Sequence, residues 1–306
     1  MHNDPFPDVL RLESSAICNF NCRHCSNGQN HPQERGLLSE EVFEGLKEQF
    51  GIKGYIPRVV VLYHGGEPLI NNKLPEQIKW FIDHGTKKVK IVSNGSLLTE
   101  EKARALIDAG LTDIYFSFDG LSPDENDIIR CNGCFERDSQ NVRRFIEIMP
   151  SEGLNVKIAN VQILTKELFE KWARGEYQIT PPQYLVDTFA DYLDRIEFVS
   201  YPAMVWPGYD RNTSEFDTCV KDIPKTDYCD NLFETVTVLS NGDVVPCCYD
   251  IVGRCVFGNV LKENIFDIWN KKEFTDFRQA VRDSDPKGIC RECMRFSGEY
   301  LLKREL

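Results

Sequence analysis

No apolar run in this chain is long enough to cross a bilayer. Its first residues, Met1-His2-Asn3-Asp4-Pro5, lack the basic and apolar regions of a secretory signal. The expectation is a cytoplasmic protein with no membrane association. Basic residues are in short supply: Lys plus Arg number 36 against 48 Asp plus Glu, a formal net charge of −12. That balance argues against generic nucleic-acid binding, which needs a basic face. Internal repeats and low-complexity tracts are absent too. What the chain has in quantity is cysteine, 12 in 306 residues. A reducing compartment does not favour a disulfide framework, so metal or redox chemistry is the better reading.

The chain is 42% hydrophobic, enough for a large domain plus a small one. Over its first two-thirds, strand-like and helix-like segments alternate. Residues 58–63 are a continuous apolar run with β-branched residues, similar runs cover 88–92, 113–118, 155–163 and 195–200, and a first strand is expected over 10–16, just before a cysteine cluster. Between them lie helical patterns. Ser39 is a candidate N-cap followed by Glu40 and Glu41, with Val42, Phe43, Leu46 and Phe50 as the apolar stripe. Thr99 caps a second pattern that Gly110 ends, and Val142, Phe145, Ile146 and Met149 repeat at helical spacing. Six strand–helix units imply parallel strands and an α/β fold, an open or closed barrel rather than a flat sheet. The pattern breaks at Thr180-Pro181-Pro182, and 203–219 reads as an irregular linker. Six of the 12 cysteines lie beyond it, where Ser240-Asn241-Gly242 signals a hairpin and Ile265, Ile268 and Trp269 a helix. This is the expected second unit, small, cysteine-rich and of mixed α+β character, over 220–300.

Cys18, Cys22 and Cys25 fall in one short loop just after the first expected strand. Three thiolates can hold three irons of a cubane [4Fe–4S] cluster, leaving the fourth iron for an exogenous chelating ligand. A zinc site completed by His24 or His31, or a set of buried thiols, is the alternative. Gly65-Gly66-Glu67-Pro68 ends the second strand; its glycines permit close backbone approach, and Glu67 can balance an ammonium group. Ser93-Asn94 ends the third strand and Ser117-Phe118-Asp119 the fourth, with Arg130 in the next loop offering a bidentate fork to a carboxylate. Cys229, Cys247 and the pair Cys290-x2-Cys293 fit a complete four-thiolate site, zinc or iron–sulfur.

The C-x3-C-x2-C loop together with the Gly-Gly-Glu-Pro turn resembles the radical S-adenosylmethionine (SAM) superfamily, and the segment from Tyr228 to Cys293 resembles its SPASM or shortened twitch domain. The resemblance implies a partial (β/α)6 barrel over 8–202 and a twitch-type domain over 220–300. It implies a [4Fe–4S] cluster on Cys18, Cys22 and Cys25 that binds SAM, and one auxiliary [4Fe–4S] cluster on Cys229, Cys247, Cys290 and Cys293. By the same resemblance His24, Gly65, Gly66, Glu67, Pro68, Ser93, Asn94, Ser117, Asp119 and Arg130 line the SAM site. The activity it implies is reductive cleavage of SAM to a 5′-deoxyadenosyl radical, then hydrogen abstraction from substrate, with electrons from a flavodoxin- or ferredoxin-type donor. A fully ligated second cluster suits an electron acceptor, hence an oxidation: dehydrogenation of an alcohol on a sugar- or aminocyclitol-like small molecule. Peptide maturation by epimerisation or cross-linking, and a non-catalytic iron–sulfur or zinc scaffold, are the alternatives. The few residues before the first strand favour a small molecule over a peptide. Cys248, beside Cys247, is a candidate hydrogen-atom donor or a small buried hydrophobe; Cys131 and Cys134 form a further CxxC, and His64 faces the same strand ends.

Overall fold

The computed structural model describes residues 5–30, 35–223 and 226–304. His31, the alternative fourth zinc ligand, lies outside the described residues. The strands are β1 (Val9–Leu12), β2 (Val59–Val61), β3 (Lys88–Ser93), β4 (Asp113–Asp119), β5 (Asn155–Gln162), β6 (Ile196–Pro202), β7 (Asp217–Val220), β8 (Thr235–Val238), β9 (Asp243–Val245), β10 (Gly258–Asn259) and β11 (Glu299–Leu302). Neighbours β1 through β6 pair in parallel in sequence order. The sheet is not closed: β6 is one edge and β10 the other. All six expected strands form, and the architecture is an open, partial barrel of α/β type.

The helices between the strands form where the sequence places them. Helix α1 (Ser26–Asn30) follows the cysteine loop directly. Helix α2 (Glu40–Lys53) starts at Ser39, whose hydroxyl accepts from Val42 N at 3.1 Å, and stops at Gly54, which adopts φ 63°. Its stripe of Val42, Phe43, Leu46 and Phe50 is buried against the sheet. Helix α3 spans Leu74–Asp83 and α4 spans Glu100–Asp108, the latter capped by Thr99. Helix α5 (Pro123–Ile129) and α6 (Phe135–Ile148) bracket the loop that carries Arg130. Alternate strand residues Leu10, Leu12, Val60, Leu62, Val89, Ile91, Ile114 and Phe116 meet these helices in one core. Side chains of a strand alternate faces, so Arg11, Val61, Lys90 and Tyr115 turn to the other side, the inner face.

Two features depart from the pattern read in the sequence. Strand β8 pairs in parallel with β1, Val9 opposite Thr235 and Leu12 opposite Val238, so the β8–β9 hairpin continues the first sheet rather than starting its own. The reason is on β1 itself: its apolar face would otherwise end at an open edge, and Val236 and Val238 extend the same core. The stretch read as an irregular linker is packed as well. Ala203, Val205 and Tyr209 are buried with Ile129, Ile163 and Leu301, and β7 pairs antiparallel with β11. Turn-forming residues in 207–215 masked that apolar content.

Candidate functional site

Loops at the C-terminal ends of β1 to β4 converge, and hydrogen bonds knit them together. The cysteine loop is held from three sides. Glu67 N donates to Ile17 O at 2.8 Å, which ties the Gly-Gly-Glu-Pro turn to the loop's entry. Asn19 Nδ2 donates to Ser96 Oγ at 2.8 Å and its Oδ1 accepts from Asn94 Nδ2 at 2.9 Å, which ties the loop to the end of β3. Asn21 N donates to Cys131 O at 3.1 Å and Arg23 N to Ile129 O at 2.9 Å, which ties it to the Arg130 loop. Asn27 on α1 donates to the Gly65 carbonyl.

The turn has no spare room. A Cβ on Gly66 would stand 2.4 Å from Ser15 O and 2.5 Å from Ile17 O, both backbone atoms that cannot give way. Glu67 is buried and fully engaged: its carboxylate accepts from Leu69 N at 3.0 Å, Ser93 Oγ at 2.9 Å and Asn94 N at 2.7 Å. Burial raises its pKa even so, with those three donors working in the opposite direction. In this structure Glu67 clasps the ends of β2 and β3, with Pro68 opening the short turn that follows. Ser93 is part of that clasp, whereas Ser117 faces inward, half-buried, on β4.

Arg130 and Asp119 form a buried ion pair, Nη1 to Oδ2 at 2.9 Å. Arg130 thus already has a carboxylate of the chain as partner, and its guanidinium also lies over Phe20 at 5.5 Å. His24 Nε2 stands 3.9 Å from the same Asp119 oxygen. Burial keeps His24 below its ordinary pKa, although Asp119 pulls the other way. Around this junction three buried polar atoms have no hydrogen-bond partner among the described residues: His24 Nδ1, Asn27 Oδ1 and Asp119 Oδ1. Buried polar atoms are seldom left unpaired, so the mouth of the cysteine loop is built for a polar ligand.

Cys18, Cys22 and Cys25 are half-buried. Burial raises all three thiols, Cys18 to about 11, while the Arg130 charge pulls each back. Cys229, Cys247, Cys290 and Cys293 are buried. Burial above all, with a contribution from Cys229, raises Cys293 to about 12. Cys290 is raised by burial and by Cys293 and Cys229, so these thiols lie within electrostatic reach of one another. Neutral buried thiols do not ionise unaided; bound iron would hold them as thiolates. Among the described residues no three donors converge on a point that would hold a single metal ion. Grouped but unconverged thiols suit a cluster, whose irons each take one thiolate, better than one tetrahedral ion.

Strand direction separates the two sets. The first follows the C-terminal end of β1. Strand β8 runs parallel to β1 and β9 runs back, so Cys229, ahead of β8, and Cys247, after β9, lie toward the opposite end. The inner face spans the gap. Cys248 and Arg11 interact electrostatically there. His64 Nε2 lies 3.2 Å from Asp250 O and so carries the proton, leaving Nδ1 as a buried, unpartnered acceptor. Cys131 and Cys134 flank the Arg130 loop, with Arg23 Nε donating to Cys131 Sγ at 3.4 Å. A cavity of about 430 Å³ between the starts of β5 and β6 touches neither cysteine set. Sequence reasoning missed Asn19, Asn27, Arg11 and Lys90. The asparagines gave no signal beyond ordinary loop composition; Arg11 and Lys90 did, as charges inside apolar strands.

A family model described as the Radical SAM superfamily matches residues 12–173, and one described as an iron-sulfur cluster-binding domain, SPASM, matches 229–294. Among curated relatives, a probable GTP 3′,8-cyclase of Methanococcus maripaludis is 30% identical over 45% of this chain and 45% of its own. The chain therefore spans under half the length of the first curated relatives it matches. An AdoMet-dependent heme synthase of Methanosarcina barkeri is 25% identical over 94% of this chain and 88% of that one. An S-adenosyl-L-methionine-dependent 2-deoxy-scyllo-inosamine dehydrogenase of Niallia circulans is 21% identical over 96% of this chain and 95% of that one. The fold matches the crystal structure of BtrN in complex with AdoMet and 2-DOIA, with a TM-score of 0.61, 17% identity and coverage of 92% and 89%.

Proposed function

This chain belongs to the radical SAM superfamily, and from that premise we propose that it dehydrogenates an alcohol on a sugar- or cyclitol-like small molecule. A SAM-binding [4Fe–4S] cluster and an auxiliary iron–sulfur cluster go with its two family matches. When bound, the first supplies the electron that splits SAM into methionine and a 5′-deoxyadenosyl radical, and the second takes up the electron released as the substrate becomes a carbonyl. Cys18, Cys22 and Cys25 would hold the first; Cys229, Cys247, Cys290 and Cys293 the second. The observation that carries the reading is the placement of these two sets at opposite ends of one sheet, with a polar inner face between them.

In this reading the residues of the chain bind, orient and move a proton. His24, Asn27 and Asp119 offer their unpartnered atoms to SAM, and Asn94, Ser93 and Ser117 border the same mouth. The Gly65-Gly66 turn, packed against Ser15, Ile17 and Ile251, fixes where the cysteine loop begins. Dehydrogenation removes one hydrogen atom, one electron and the hydroxyl proton from the carbinol. His64 Nδ1 accepts that proton: burial keeps the ring neutral, and the Glu13 carboxylate stabilises the imidazolium that forms. Cys248 remains the candidate hydrogen-atom donor for a non-oxidative outcome. A flavodoxin- or ferredoxin-type protein is the proposed donor to the first cluster.

The test uses cyclitols deuterated at each carbinol carbon with anaerobically loaded protein. Deuterium in 5′-deoxyadenosine, with one carbonyl product formed per label transferred, supports dehydrogenation. Abundant 5′-deoxyadenosine without label or carbonyl from any cyclitol refutes it. Peptide modification is the second reading, favoured by the open β6 edge, where Tyr201 is 47% exposed. Deuterium uptake from solvent into a peptide α-carbon, abolished in Cys248→Ala, would select it.

A further inference from the structure

The inner face carries more positive charge than its own carboxylates neutralise. Alternation along the strands turns Arg11, Glu13, Lys90, Asp113, Tyr115, Asp119, Lys157 and Glu197 to this side. Every one of its carboxylates has a cation of its own. Glu13 pairs with Arg35 at 2.9 Å, Asp113 with Lys88 at 3.4 Å, Asp119 with Arg130 at 2.9 Å and Glu197 with Lys157 at 2.5 Å. Arg11 and Lys90 are left over. Among the described residues neither has a carboxylate at ion-pair distance.

Arg11 is 8% exposed, and its contacts are weak for a buried guanidinium. Nη1 reaches Tyr63 O at 3.5 Å, the group lies 5.0 Å above the Tyr63 ring, and Nε has no partner. Lys90 Nζ sits 3.6 Å above the Tyr115 ring. The two cations are in one layer: Arg11 pairs with Val61 and Val61 with Lys90. Two strand spacings put their backbones about 10 Å apart on the same face. Burial lowers the Lys90 ammonium and Arg11 adds to that, while Tyr115 and the neighbouring Asp113 act the other way. The Cys248 and Cys247 thiols act on Arg11 and the Asp113 carboxylate on Lys90, but among the described residues no carboxylate stands in ion-pair contact with either; a buried cation so weakly compensated is costly, and anionic substrate oxygens would complete it.

We propose that Arg11 and Lys90 clamp an oxyanion of the substrate, a phosphate or a carboxylate, on the inner face between the two cysteine sets, with Tyr63 and Tyr115 beside it. The clamp lies below the strand ends, Arg11 two residues before Glu13 and Lys90 three before Ser93. The anion therefore anchors the deep end of the substrate and points its carbinol at the Cys18–Cys25 loop. This rests on the inner face being the substrate site, as the dehydrogenase reading requires. It also predicts that a free aminocyclitol, which is cationic, is a poorer ligand than its phosphorylated or carboxylated counterpart.

Isothermal titration of the iron-loaded protein, with inorganic phosphate and gluconate as separate probes and myo-inositol as the neutral control, measures the clamp without any turnover. We expect one of the two anions to bind at one site per chain and myo-inositol not to. K90M should weaken that anion tenfold or more, the scale of a charge-assisted contact, and R11M/K90M should abolish it. K157M, whose lysine already pairs with Glu197, should leave it unchanged. Should R11M fail to fold, K90Q carries the test alone, because Lys90 is half-buried. Binding of neither anion, or binding equal in wild type and K90Q, overturns the proposal. Failure of alcohol oxidation with an intact clamp would instead count against the dehydrogenase reading alone.

Discussion

Removing Arg130 should cost the protein more than any substitution at its surface. Asp119 is 1% exposed, its Oδ2 is held by Arg130 at 2.9 Å, and its Oδ1 already lacks a partner. Arg130→Met leaves that carboxylate buried with only His24 nearby, at 3.9 Å. Breaking a buried pair in this way costs about 3–5 kcal/mol. Protonation of His24 would recover part of it, so the lower end of that range is expected. Asp119→Asn strands the guanidinium instead and should cost a similar amount. The double variant removes both charges, and its cost should fall short of the sum of the singles by about 2 kcal/mol. Urea unfolding at matched iron content, compared through the midpoints of the four proteins, reads these differences. Additive costs, or either single variant losing under about 1 kcal/mol, would show that the pair is not the junction it is taken to be. Of these, the variants that lack Arg130 should lose iron from the N-terminal set first, because Arg130 pulls the pKa of Cys18, Cys22 and Cys25 down.

Three further outcomes follow from the geometry. Gly66→Ala drives a methyl group into two backbone carbonyls at 2.4 and 2.5 Å; we expect a loss of at least about 3 kcal/mol and no SAM binding, checked by unfolding and equilibrium dialysis. His64 is held below its ordinary value of 6.5 by burial, so below that pH the unfolded chain takes a proton that the folded one refuses. Stability is therefore full above 6.5 and falls as pH drops, by up to about 1.4 kcal/mol per pH unit, and His64→Asn should flatten that slope in midpoints taken between pH 5 and 7. Replacing Cys229 and Cys247 together with alanine should remove about four irons per chain and abolish carbonyl formation, while 5′-deoxyadenosine release continues, as followed by iron analysis and product assays.

The parts of this molecule that were legible in the sequence are those where local chemistry is decisive. Ser39, Thr99 and Gly110 start and stop helices through their own hydrogen bonds or backbone angles, and the Asn241-Gly242 hairpin forms as its residues require. The cysteine spacings and the Gly65-Gly66 turn announce themselves because few other residues would serve there. What stayed hidden depends on distant segments meeting. Nothing in Thr235–Val238 says that its partner is β1, more than 200 residues earlier. Nor does Glu67 alone reveal whether its carboxylate faces a ligand or, as here, Ser93 and Asn94. Arg11 and Lys90 are a different case. Val-Leu-Arg-Leu-Glu and Lys-Val-Lys-Ile-Val alternate apolar with charged residues, and reading them as uniformly apolar strands discarded the period that marks an inner, functional face.

The central claim is that Cys18, Cys22 and Cys25 together hold a cluster with one iron open to SAM. It is tested most directly by low-temperature EPR of reduced, anaerobic Cys229→Ala/Cys247→Ala protein, in which only the N-terminal site can carry a signal. The account predicts a [4Fe–4S]⁺ spectrum that shifts when SAM is added, with 5′-deoxyadenosine appearing in the same sample. A spectrum that SAM leaves unchanged, or no cluster on those three cysteines, would contradict it.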